Sequence, residues 1–149
     1  MLAEVVLATS ESKRLIGKAV ASMEVVKEAL KSGLIIIVRG TTNSYVAEEI
    51  LGERIEKGRY STGIIVPGML SLIQAEESIP PIIVEKGNVR RDLSFEEAVK
   101  MLNTGDVLIK GANALSPDGM TGVFLARTPT SEGGTIGLSL GSARANEPL

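Results

Sequence analysis

Apolar positions along this chain fall into two arrangements, stripes that recur every three or four residues and short unbroken runs. The first stripe begins near Ser12. Ile16, Ala19, Val20, Met23, Val26 and Leu30 follow at steps that suit one face of a single helix. Ser10 or Ser12 can cap its start, and Gly33, just after Lys31 and Ser32, reads as a left-handed terminator. Ahead of it, A-E-V-V-L-A-T at residues 3–9 fits either a short strand or the lead-in to the helix.

The unbroken runs read as strands. Residues 34–38, L-I-I-I-V, are apolar at every position, which suits a strand covered on both faces. A helix over residues 44–51, ended by Gly52, and a polar hinge over 53–62 follow. The next runs are G-I-I-V-P-G at 63–68 and, after Pro80 and Pro81, I-I-V-E at 82–85. In S-F-E-E-A-V-K-M-L at 94–102, Ser94 and Glu97 stand three apart before an apolar stripe, a capping-box signature, and Gly105 closes that helix. D-V-L-I-K-G at 106–111 and G-V-F-L-A at 122–126 read as two more strands, and the glycine-rich residues 133–145 as a last helix. Apolar strands alternating with amphipathic helices predict one α/β domain over residues 1–149. Its expected core is a mainly parallel twisted sheet with helices on both faces, a Rossmann-like three-layer arrangement.

Composition then removes whole classes of chemistry. Hydrophobic residues at 44% and charged residues at 23% are globular values, so a folded core is expected, not a disordered segment. The net charge of −2 comes from 16 basic and 18 acidic residues spread along the chain, with no basic block for nucleic acid or an anionic membrane. The apolar runs are too short to span a bilayer and the N-terminus lacks the layout of a secretory signal, so a soluble cytoplasmic protein is expected. Absence of Cys excludes disulfides, thiolate nucleophiles and thiolate metal sites; absence of His removes the commonest general base and metal ligand. No resident cofactor or metal is indicated. Without Trp, and with aromatics at 3%, stacking on single-stranded nucleic acid is not expected either.

Four stretches carry candidate chemistry. In V-R-G-T-T-N-S at residues 38–44, Gly40, Thr41, Thr42, Asn43 and Ser44 sit where a strand hands over to a helix. Such a junction offers backbone amides and the positive end of a helix dipole to phosphate or carboxylate, though the same residue types also serve as plain helix caps. The loop has neither the G-K-[ST] of a Walker loop nor a G-x-G-x-x-G fingerprint, so NTP and NAD are not indicated. In K-G-A-N-A-L-S-P-D-G at 110–119, Lys110, Asn113 and Asp118 can converge on a ligand, while Ser116 to Gly119 also has the chemistry of a tight turn. Gly134 and Thr135, in G-G-T-I-G, fit an amide-lined pocket or a flexible loop. Glu85, ending an apolar run, fits a nucleophile or base, or a solvated residue opening a turn at Gly87 and Asn88.

Taken in order, these pieces resemble the superfamily that joins ribose-5-phosphate isomerase, glucosamine-6-phosphate deaminase and the CoA transferases. S-G-L-I-I-I-V-R-G-T-T-N-S at 32–44 resembles its strand and G-T-G-S-T phosphate loop. D-V-L-I-K-G-A-N-A-L-S-P-D-G at 106–119 resembles both the stretch carrying D-G-A-D-E in the isomerase and the G-A-x-Q-V-x-x-x-G turn of CoA transferases. Residues 133–144 resemble the glycine-rich segment that follows. The likeness spans about residues 30 to 145, in order and spacing more than in identity.

The resemblance implies a ligand bearing a sugar phosphate or CoA. It places the anion on Gly40 to Ser44, with Gly134 and Thr135 opposite and Lys110 and Asn113 between them. The isomerase carboxylates are replaced by Lys110, Asn113 and Ala114, so sugar-phosphate isomerisation loses its base. The E-N-G of CoA transferases is approximated by Glu85-Lys86-Gly87, which implies acyl or CoA transfer on Glu85, with Arg39 or Lys86 steadying phosphates and CoA as substrate. The alternative is a non-catalytic metabolite-sensing or assembly module of the same fold. Family members usually continue into another strand, so the resemblance implies either a minimal version of the fold or a homo-oligomer in which a partner subunit supplies the missing sheet edge.

Overall fold

The computed structural model describes residues 3–66 and 68–123 of the 149. In chain order the elements are α1 (Thr9–Ser22), α2 (Glu24–Ser32), β1 (Leu34–Ile37), α3 (Asn43–Leu51), β2 (Gly63–Val66), β3 (Met69–Leu72), β4 (Ile82–Glu85), β5 (Asn88–Val89), α4 (Phe95–Met101), β6 (Val107–Ile109), β7 (Ala114–Leu115) and β8 (Thr121–Gly122).

The expected mainly parallel, Rossmann-like sheet is not what forms. Among the described residues the central sheet has four strands in the order β5-β4-β1-β6, and only β1 and β6 run parallel. The cause lies in the route after α3. That segment returns to the carboxyl end of β1, where the Tyr60 carbonyl accepts from the Gly40 amide at 3.0 Å. The buried Tyr60 hydroxyl donates to the Ile37 carbonyl and accepts from the Ile82 amide. β4 therefore starts at that end and runs antiparallel, pairing Ile37 with Ile82 and Leu34 with Glu85. Lys86 and Gly87, both at positive φ (48° and 79°), then turn the chain into β5. Two successive left-handed residues make the tight turn whose twist matches a hairpin. The run at 63–68 does not join this sheet either; β2 pairs with β3 in a separate antiparallel hairpin.

β1 is covered on both faces, as its unbroken apolarity requires. Ile35 and Ile37 pack with Val26 and Ala29 of α2 and Val46 and Ala47 of α3. Leu34, Ile36 and Val38 point the other way, against Ile83 and the α4 residues Ala98 and Val99. The alternation is the two-residue period of a strand.

The single helix expected from Ser12 onward is two helices. Met23 adopts extended backbone (ψ 137°), and the axis breaks there. Neither Ser10 nor Ser12 caps the start; α1 begins after Ala8, whose amide donates to Glu11 at 2.7 Å. α2 lays Val26 and Ala29 on the sheet, whereas α1 packs on α3. Gly17 makes that contact: a Cβ there would stand 2.9 Å from the Tyr45 carbonyl oxygen. The break leaves Ile16, Ala19 and Met23 of the expected buried stripe exposed.

Gly33 is extended (φ −118°, ψ −162°), not left-handed, and is small for a different reason. Asp106 Oδ1 would lie 2.7 Å from its Cβ while accepting from the Leu34 amide at 2.7 Å. Its other oxygen accepts from the Asn103 amide at 2.8 Å, which ties the starts of β1 and β6 together. The cap of α4 is as expected, with Ser94 accepting from the Glu97 amide and Glu97 accepting from the Ser94 amide. Gly52 ends α3 in the left-handed region (φ 70°).

Candidate functional site

The loop after β1 is built around Asn43. Its side-chain amide donates to the Val38 carbonyl at 2.7 Å and to the Ile109 carbonyl at 3.2 Å, so one buried amide closes the ends of both parallel strands. Ser44 is fully buried and its hydroxyl donates to the Thr41 carbonyl at 2.9 Å. Gly40 gives its amide to Tyr60 and its carbonyl to the Ser44 amide. Three of the five expected ligand residues, Gly40, Asn43 and Ser44, thus have structural work at these atoms.

What remains is a run of backbone amides. Among the described residues, no acceptor takes the N–H of Thr41, Thr42 or Asn43. Thr42 precedes α3 at φ −81° and makes no side-chain cap, and the first turn of α3 holds no acidic residue. These amides lie at the positive end of the helix dipole.

Cations surround this end of the sheet. Lys13, on α1, donates from Nζ to the Thr41 hydroxyl at 2.9 Å. Lys110 directly follows Ile109, the partner of Ile37 in the parallel pair, and so stands at the same end as Val38. It is half-buried, and burial pushes its amine below the ordinary 10.5. Arg39 donates to the Ser78 hydroxyl at 2.7 Å. Among the described residues, none of these three cations pairs with a carboxylate. By contrast, Arg14 and Lys57, both over the Tyr45 ring, are taken up by acidic partners. Arg14 pairs with Glu48 and Glu49, and Lys57 with Glu48. Glu48 is buried, which raises its pKa, but hydrogen bonds from Lys57, the Ile55 amide and Arg14 outweigh burial and hold it down at about 2.

Glu85 is not part of this cluster. It pairs with Leu34 at the amino end of β1, about 13 Å of strand away from Val38. There it forms an ion pair with Arg90, which also holds Asp92 at 2.7 Å. Lys86 goes with it, its amide bonded to the Gly33 carbonyl. Asn113 is exposed in the β7–β8 hairpin, its amide on the Gly122 carbonyl. Asp118 belongs to the tight turn, where the Ser116 hydroxyl donates to it and Gly119 sits at φ 89°. Gly134 and Thr135 lie outside the described residues, as does most of the run at 122–126.

The loop, Arg39 and Lys110 therefore share the carboxyl end of β1, and Glu85 stands at the other end. Lys13 carried no signal in the sequence, since its place depends on α1 packing across α3 through Gly17. Compared with protein-family models, curated proteins and solved structures, this chain matches none. No group of three or more acidic residues among the described residues is placed to hold a metal ion, and no helix there is long and apolar enough to cross a membrane.

Proposed function

We propose that this chain is a binding module for a phosphate-bearing small molecule, of the sugar-phosphate or CoA type, held at the carboxyl end of β1. The amides of Thr41, Thr42 and Asn43 are its donors. Lys13 and Lys110 supply the counter-charge, and Arg39 the outer positive field. The observation that carries this reading is the run of three successive amides without an acceptor among the described residues, at a helix start free of acidic side chains. Phosphate suits such a place because its oxygens accept from several converging N–H groups at once. Lys110 supports it further: a half-buried amine without a carboxylate partner regains charge stabilisation when an anion arrives.

Acyl transfer on Glu85 gains no support from this arrangement. A nucleophile must lie within reach of the group that the anion site positions, and Glu85 stands at the opposite end of the sheet in an ion pair. Binding without covalent chemistry is the better-supported half of the reading.

Thermal-shift titration with inorganic phosphate, a sugar phosphate and CoA tests it. A ligand at a hundred times its dissociation constant stabilises by about 2.7 kcal/mol. Replacing Lys13 by Met should remove most of that gain. Equal stabilisation of the wild type and K13M, or none by any of the three compounds, contradicts the proposal.

A further inference from the structure

α1 packs on α3 through one side, and among the described residues its opposite side, which carries apolar residues, is left uncovered. Gly17, Lys13 and Arg14 face α3. At 100° per residue, Leu15, Ile16 and Ala19 point away from that contact, and Met23 continues the line. Leu15 is 59% exposed, Ile16 46% and Met23 51%. The approach to α1, residues 3–8, is exposed throughout, with Val6 at 90%, and belongs to no helix or strand. Val25, opening α2, is likewise exposed. Single exposed apolar residues are ordinary, but a helix face with a flanking arm is the kind of patch that marks an interface.

We infer that this face is covered by a second copy of the chain, with the two α1 helices packed antiparallel about a two-fold axis beside Leu15. Charge favours that occupant. Glu11 and Lys18 lie seven residues apart on the same flank of the face, both exposed. In an antiparallel pair centred between residues 14 and 15, Glu11 of each copy meets Lys18 of the other, so a single self-complementary arrangement makes two ion pairs. The same register sets Met23 of one copy beside the arm of the other, which carries Val5 and Val6. Isologous contacts of this kind are the commonest route to a dimer.

The area is adequate. The exposed parts of Val5, Val6, Leu15, Ile16, Met23 and Val25 amount to on the order of 600 Å² per copy, near the ~800 Å² each partner gives to a standard interface. The interface leaves the carboxyl end of β1 untouched, so this inference does not depend on the ligand reading.

Sedimentation equilibrium on the full chain tests it, with circular dichroism confirming that each variant is folded. The wild type should sediment at twice its 15.7 kDa. Lys18→Glu, an exposed substitution that sets like charges against each other, should weaken the dimer at least tenfold. The double variant E11K/K18E should restore it, and Ile16→Glu should give monomer. A monomeric wild type overturns the inference. So does a dimer whose dissociation constant is unmoved by both K18E and I16E, since its interface then lies elsewhere.

Discussion

The side chain of Asn43 donates to the carbonyl of Ile109, 66 residues further along the chain, at a distance of 3.2 Å. That one contact joins the start of α3 to the end of the parallel neighbour of β1, and it holds the Thr41–Asn43 amides at the mouth of the sheet. Asn suits the place because two carbonyls, those of Val38 and Ile109, ask for a donor.

Removing it should therefore cost stability in a graded way. Asn43→Ala leaves the Val38 carbonyl without this donor and should lower unfolding free energy by about 1–3 kcal/mol in urea denaturation. Asn43→Asp, nearly the same shape, should cost more at neutral pH, because a carboxylate oxygen then faces two carbonyl oxygens. Equal stability of the wild type and N43D would contradict this role.

Tyr60 performs the same kind of work one strand over. Its hydroxyl bridges the Ile37 carbonyl and the Ile82 amide from a fully buried position, and burial raises its pKa above the ordinary 10. Tyr60→Phe keeps the ring and deletes the bridge, so it should destabilise by about 1–3 kcal/mol. Hydrogen exchange should report the loss first at the Ile82 amide.

Glu48 predicts a pH dependence. Its pKa falls from the ordinary 4.5 to about 2 in the folded chain, so the folded state binds fewer protons than the unfolded one in between. The stability it contributes is complete above about pH 4.5 and is lost as pH falls toward 2, on the order of 2 kcal/mol after allowance for its half-exposed cationic partners. Thermal melts from pH 6 to pH 2.5 should show a steeper loss for wild type than for Glu48→Gln, whose melting temperature is already lower at pH 6. Parallel curves would assign the stability elsewhere.

These sites also mark how far the sequence could be read. The strand at 34–38, the capping box at Ser94 and the stop at Gly52 were legible because each rests on local chemistry within a few residues. Sheet direction was not, because it turns on Tyr60 meeting Ile37 across 23 residues and no local pattern records that contact. The break at Met23 was hidden for a related reason. Helical spacing continues unbroken through Ser22 and Glu24, and no local pattern there marks the turn to extended backbone at Met23. Within the loop the residue types were found, but their roles divided between backbone and side chain. Asn43 and Ser44, readable as ligand donors or as helix caps, spend their side chains on the loop's shape, leaving the amides as candidate donors.

The binding proposal can be tested at those amides. Thr42 has φ −81°, close to the value proline imposes, so Thr42→Pro deletes one N–H with little change in backbone direction. If T42P does not fold, K13M provides the second variant. The most direct measurement is the amide proton–nitrogen spectrum of the full chain, titrated with inorganic phosphate. The account predicts saturable shifts led by Thr41, Thr42 and Asn43, weakened in K13M and in folded T42P. Shifts absent from those three amides, or equally large across the whole surface, would contradict it.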